Sequence, residues 1–147
     1  GNKTVIITNG GGLGVLCADY CAKNKLDVVK LPESLIKHLD LSHNWSRNNP
    51  IDLVGDADHT KYREIFFKLE ENHFFDNVIV ILSQQEMIDV YKVSKEIVDF
   101  RKRSKKNVVC CLVGIGENIN KAKKILKENG ILSFFEPERC AKVLKII

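Results

Sequence analysis

Residues 3–24 read KTVIITNGGGLGVLCADYCAKN, and this stretch decides the fold. Its first part, KTVIIT (3–8), is a short β-branched run of the kind that forms a strand. Its last part, GGLGVLCADYCAKN (11–24), carries apolar residues on one helical face. Four glycines, Gly10, Gly11, Gly12 and Gly14, stand at the junction. A strand that passes through bare backbone into a helix opens a βα unit. Glycines at such a junction serve one of two ends. They make a tight turn, or they let an anion approach the unpaired amides of a helix N-terminus. The residues alone leave both open.

The rest of the chain repeats the alternation. LDVVKL (26–31) reads as a second strand ended by Pro32, with a short helix over 33–39. Residues 40–58 read as irregular. Asp58 then suits the N-cap of a helix with Tyr62, Ile65, Phe66 and Leu69 on one face. NVIVIL (77–82) and NVVCCLV (107–113) are continuous apolar runs, as expected of strands buried on both faces. A helix from about Met87 to Ser104 separates them, with Val90, Val93, Ile97 and Val98 inward. The next helix turns Ile119, Ala122, Ile125 and Leu126 inward and stops at Gly130. LSFF (132–135) is a last short strand. Glu136 or Pro137 opens a final helix with Cys140, Val143, Leu144 and Ile147 inward. Five strands alternating with helices predict an α/β flavodoxin-like three-layer sandwich. Its five-stranded parallel sheet has the order 2-1-3-4-5, with helices on both faces. Ligands in such sheets bind at the C-terminal strand ends, between strands 1 and 3. That places a site at Asn9–Gly14 and at the loop Ser83–Glu86.

Composition narrows the function. The 147 residues suit one domain, 1–147, and the 44% hydrophobic and 29% charged content is that of a globular protein. A net charge of +4, from 23 basic and 19 acidic residues, is too small to argue for nucleic acid. The basic run RKRSKK (101–106) reads as a solvated helix C-terminus. No apolar run spans a bilayer and no secretory signal is visible. Cys17, Cys21, Cys110, Cys111 and Cys140 sit in apolar patterns and read as free thiols of a cytoplasmic protein rather than metal ligands.

Three stretches could carry chemistry. NGGGLG (9–14) matches neither the P-loop nor the dinucleotide fingerprint. It remains a glycine-rich turn feeding a helix, without a lysine or arginine of its own. NNPIDLVGDAD (48–58) holds Asp52, Asp56 and Asp58, which suit Mg²⁺ or acid–base work, and equally suit turns and helix caps. VGIGEN (113–118) reads as a turn. His38, His43, His59 and His73 lie in polar contexts with no nucleophile turn beside them. No self-contained catalytic set is present, and no metal site is expected.

Several motifs in order resemble one family. TNGGGLGVLCADYC, LPESLIKHL and NNPIDLVGDADHTKY resemble the C-terminal module of ADP-forming acyl-CoA synthetases, typified by acetate–CoA ligase. NVIVILSQQEM, KKNVVCCLVGIGENINKAKKILKENGI and FFEPERCAKVL match its later motifs. The resemblance covers essentially the whole chain, and extends more distantly to the succinyl-CoA synthetase β subunit. It implies a domain of an enzyme that converts acid, CoA and ATP to acyl-CoA, ADP and phosphate. A phosphohistidine carries the phosphoryl group between sites, and a helix N-terminus of this module faces it.

By this resemblance Asn9, Gly10, Gly11, Gly12, Leu13 and Gly14 bind the phosphoryl group, with the dipole of a helix beginning near Leu13. Asp52, Gly55, Asp56, Ser83 and Gln84 are secondary candidates. Leu13 stands where the family pattern has Pro, and Gly10 where it has Ala. The phosphorylated histidine is expected in another module, together with CoA-binding and ATP-grasp partner domains. This domain is then a fragment of a larger enzyme and inactive alone. No tightly bound cofactor is implied. Phosphate or phosphohistidine arrives from another domain, and ATP, Mg and CoA serve the full enzyme. The alternatives are a degenerate regulatory synthetase-like domain of a protein acyltransferase and a stand-alone flavodoxin-like ligand-binding module.

Overall fold

The computed structural model describes residues 1–53, 58–85 and 88–147. Its elements, in chain order, are β1 (Lys3–Thr8), α1 (Gly11–Lys23), β2 (Asp27–Val28), α2 (Glu33–Ile36), β3 (Ile51–Asp52) and α3 (His59–Glu70). They continue with β4 (Asn77–Ser83), α4 (Val90–Ser104), β5 (Asn107–Val113), α5 (Glu117–Glu128), β6 (Leu132–Phe134) and α6 (Pro137–Ile146). All strand pairs among the described residues are parallel. The order β2-β1-β4-β5-β6 is the expected 2-1-3-4-5 path, with one strand more.

That additional strand is β3, inside the stretch expected to be irregular. β2 and β3 share one edge of β1. β2 pairs with Lys3 and Thr4, and β3 with Ile7 and Thr8. The Asn49 side chain fills the gap between them. Its Oδ1 accepts from the Ile6 N–H at 2.9 Å, and its Nδ2 donates to the carbonyls of Thr4 (2.8 Å) and Val29 (2.9 Å). This explains why the expected strand 26–31 stops at Val28. A side-chain amide takes the ladder positions the strand would need, and buried backbone groups must be paired by something.

Successive residues of the central strands point to opposite faces. Val5, Ile7, Val78, Val80, Leu82, Cys110 and Leu112 join the larger core, with Tyr62, Phe66 and Phe100 of the helices on that side. Ile6, Ile79, Ile81, Val109 and Cys111 join the other, with Cys17 and Cys21 of α1 and Cys140 and Leu144 of α6. Each such fully buried aliphatic side chain contributes about 1.5–3 kcal/mol relative to exposure. All five cysteines are buried and unpaired. Burial pushes the Cys110 thiol well up from its ordinary value.

The helices begin and end where side chains allow. Asp58 caps α3, accepting from the amides of Thr60 and Lys61, both at 3.0 Å. Asp89 caps α4 through the Lys92 amide, so that helix starts at Val90; Met87 lies outside the described residues. α2 closes after Ile36 rather than running to Leu39. Gly130 follows α5 at φ +74°, a left-handed position that favours glycine. Pro137 opens α6. The one inward expectation that fails there is Ile147, which lies past the helix and is exposed. α3 and α4 are joined by a bidentate pair, Arg63 to Glu96, with both contacts at 2.9 Å.

Candidate functional site

The sheet's switch point lies between β1 and β4, whose C-terminal ends carry the loops at Asn9 and Ser83. The buried Asn9 locks these two loops together. Its Oδ1 accepts from the Ser83 N–H at 2.8 Å and its Nδ2 donates to the Ser83 carbonyl at 2.8 Å. Gln84 is tied in the other direction, to the β5–α5 turn. Its amide donates to the Val113 carbonyl at 2.8 Å and its Oε1 accepts from the Ile115 N–H at 3.1 Å. A Cβ on Gly114, at φ +149°, would collide with the Gln84 side chain. VGIGEN is thus a turn that needs its glycine, as read from the sequence.

The glycine run divides by role. Gly10 is the N-cap of α1, and its N–H is held by Thr8 Oγ1 at 2.9 Å. The Gly14 amide closes the first helical turn onto the Gly10 carbonyl at 3.0 Å. A Cβ on Gly14 would stand 2.8 Å from Thr8 Cγ2 and 3.4 Å from Pro50 Cβ, so this glycine serves close packing. The helix starts at Gly11, where the residue pattern places it and two residues before the Leu13 implied by the resemblance. Gly11, Gly12 and Leu13 therefore occupy its first three positions, where amides have no acceptor within the helix. No side chain of the N-cap residue caps them. Gly11 and Gly12 are exposed.

The Asp52 carboxylate stands beside this helix start. Asp52 is held opposite Thr8 by the β1–β3 pairing and by the Leu53 amide on the Thr8 carbonyl at 2.9 Å. A Cβ on Gly11 would lie 2.9 Å from Asp52 Oδ2. Thr8, Gly11, Val15, Trp45, Asn49 and Asp52 help to line a cleft of about 490 Å³. Tyr62, fully buried in the larger core with Ile51 and Leu53, keeps its hydroxyl without a hydrogen-bond partner among the described residues. Burial, and then the charge of Asp52, push the Tyr62 phenol well above its ordinary value.

Of the residues singled out in the sequence, Gly11, Gly12, Leu13 and Asp52 meet at one place. Asn9, Gly10, Gly14, Ser83 and Gln84 build the scaffold around it through backbone and amide bonds. Gly55 and Asp56 lie outside the described residues. Asn49 and Trp45 were not foreseen at the site. Asn49 and Trp45 are brought there by the loop before β3, which has no periodicity to read.

The Ligase-CoA domain model matches residues 4–145. The chain belongs to the Ligase-CoA domain family. This Ligase-CoA domain is 31% identical over 144 residues to acetate–CoA ligase [ADP-forming] I of Archaeoglobus fulgidus, covering 97% of this chain and 20% of that one. It is 31% identical over 150 residues to the α subunit of acetate–CoA ligase [ADP-forming] I of Pyrococcus furiosus, covering 100% and 32%. Among solved structures it superposes on the dinucleotide-forming acetyl-coenzyme A synthetase 1 of Ca. Korarchaeum cryptofilum, solved in complex with phosphate and ADP. The TM-score is 0.88 at 31% identity, covering 99% of this chain and 32% of that one. The chain thus spans a fifth to a third of the length of these relatives.

Proposed function

We propose that this Ligase-CoA domain receives a phosphoryl group at the start of α1, as one part of an ADP-forming acyl-CoA ligase. The observation that carries the reading is the run of three first-turn amides at Gly11, Gly12 and Leu13, which have no acceptor within the helix and receive no side-chain cap from Gly10. They add their N–H groups to the positive end of the helix dipole, equivalent to about half a charge. Such donors are already oriented and need no reorganisation when the anion arrives. No lysine or arginine stands in the turn to hold the phosphoryl group too firmly for onward transfer. The relatives are named as ADP-forming acetate–CoA ligases, which supports a reaction in which acid, CoA and ATP give acyl-CoA, ADP and phosphate. The phosphate and ADP held by the related synthetase agree with it.

On this reading the phosphohistidine, the CoA-binding domain and the ATP-grasp domain come from other parts of the enzyme, and ATP, Mg²⁺ and CoA act there. Val15 and Leu16 support this division, because they leave apolar surface exposed on the first turns of α1. A partner domain seated there would bury that surface and exclude water from the phosphoryl group. Among the described residues no helix is long and apolar enough to cross a membrane. Five unpaired cysteines suit the reducing cytoplasm.

Titrating the chain with inorganic phosphate tests the reading by amide NMR. Saturable shifts at Gly11, Gly12 and Leu13 are expected, with Gly10 and Gly14 moving less. Unmoved amides at those three positions count against the site. In the complete enzyme, Gly12→Val should depress phosphohistidine formation, and unchanged phosphoenzyme would remove the role.

A further inference from the structure

The positive charge of the chain is concentrated on two helices. α4 and α5 carry nine Lys and Arg against four Asp and Glu, more than the whole excess of +4. Both pack on the larger core, α4 through Val93 and Ile97 and α5 through Ala122 and Leu126. They therefore lie on the face of the sheet opposite α1, whose Cys17 and Cys21 belong to the other core. A cleft of about 350 Å³ opens between them, lined by Tyr91 of α4 and by Lys121, Lys124, Ile125 and Glu128 of α5. The four α5 residues have the spacing i, i+3, i+4, i+7, which sets them on one stripe of the helix. Ile125 is half-buried against the core and supplies apolar surface. The side chains of Lys124 and Glu128 have no ion-pair or hydrogen-bond partner among the described residues, and Lys121 reaches only Glu117, at 4.0 Å. A third ammonium, that of Lys95, lies 5.4 Å from the centroid of the Tyr91 ring.

We propose that the cleft between α4 and α5 binds a nucleoside phosphate. The volume falls within the range of small-molecule sites, roughly 300–1,000 Å³, and so does the mixture of aromatic, apolar and a few charged groups. Each group selects a part of the ligand. Lys121 and Lys124 attract the phosphates, and the excess charge of the two helices draws an anion toward them. Tyr91 and Ile125 offer the base an aromatic and an apolar surface. Glu128 is an acceptor, and it disfavours a bare polyanion. It selects a ligand that brings hydroxyl or amine donors together with its negative charge. The site does not use the start of α1, and the inference stands apart from the phosphoryl reading above.

The test uses ADP as the probe, titrated into the chain and followed by amide NMR, with inorganic pyrophosphate in parallel. ADP should shift Tyr91, Lys121, Lys124, Ile125 and Glu128 in a saturable way and bind more tightly there than pyrophosphate. Lys124→Gln should weaken ADP about fivefold at low salt, the effect of removing one charge about 4 Å from another in water. Its effect should shrink in high salt. Tyr91→Leu should weaken ADP about fivefold or more, as loss of a base-stacking surface does, and leave pyrophosphate unchanged. Tyr91→Phe should keep ADP affinity, which separates loss of the ring from a general disturbance of α4. Unmoved amides along α5 at millimolar ADP overturn the site. Pyrophosphate binding as tightly as ADP overturns the nucleoside, leaving charge attraction alone. Tighter binding of a polyglutamate peptide than of ADP also overturns it, and assigns the cleft to an acidic protein segment. Shifts confined to Gly11, Gly12 and Leu13 overturn this site while leaving the phosphoryl reading in place.

Discussion

The Asn9 carboxamide and the Ser83 backbone hydrogen-bond each other in both directions, at 2.8 Å each way. One side chain therefore sets the spacing of the two loops at the switch point. Asn9→Ala leaves a buried donor and a buried acceptor without partners, at about 1–3 kcal/mol each. Urea unfolding should show a loss of about 2–6 kcal/mol. A variant as stable as the parent would mean that this pair does not hold the loops.

Neighbouring glycines of the turn should answer differently to the same methyl group. A Cβ at Gly14 meets Thr8 and Pro50, whereas one at Gly12 meets open space. Gly14→Ala should cost about 1–3 kcal/mol through overpacking. Gly12→Ala should be neutral or stabilise by about 0.4–1 kcal/mol, because it restricts the unfolded chain. Thermal melts compare the two directly. The tolerance at Gly12 is what lets a loss of phosphoenzyme in Gly12→Val be read as an effect on the site.

Asp58 links α3 to pH. The Thr60 hydroxyl, and then the Lys61 amide, hold its carboxyl below the usual carboxylate range. A carboxyl depressed in the folded state stabilises the protein above its unfolded pKa, near 3.9, and that contribution disappears as pH falls through the lower folded value. Asp58→Ala should therefore cost about 1 kcal/mol at neutral pH. Its stability curve should merge with that of the parent in acid. A constant difference across the acid range would show that the cap does not act through its charge.

The layers and the strand order were legible in the residues. NVIVIL and NVVCCLV are apolar without a break, and only a strand covered on both faces accepts that. The helix facing them is equally plain at Tyr62, Ile65, Phe66 and Leu69, all buried as the spacing requires. The ends of elements were less legible. β2 is cut short by Asn49, whose bond to the Val29 carbonyl spans 20 residues of chain, and β3 is 2 residues long. Neither leaves a periodic trace, since both depend on which chain segment reaches the edge of β1.

The candidate site divides in the same way. Strand, glycines and helix in succession placed an anion-receiving turn at Asn9–Gly14, because amide direction follows from helix geometry. Which amides remain unused did not follow from it. Only the fold commits Gly10 to Thr8, Gly14 to the first helical turn and Asn9 to Ser83, leaving, among the described residues, Gly11, Gly12 and Leu13. Only the fold brings Asp52 against Gly11. Local sequence determines patterns that repeat within a few residues. Contacts between distant segments depend on register and packing, and here those contacts decide which groups are spent on structure and which are left for a ligand.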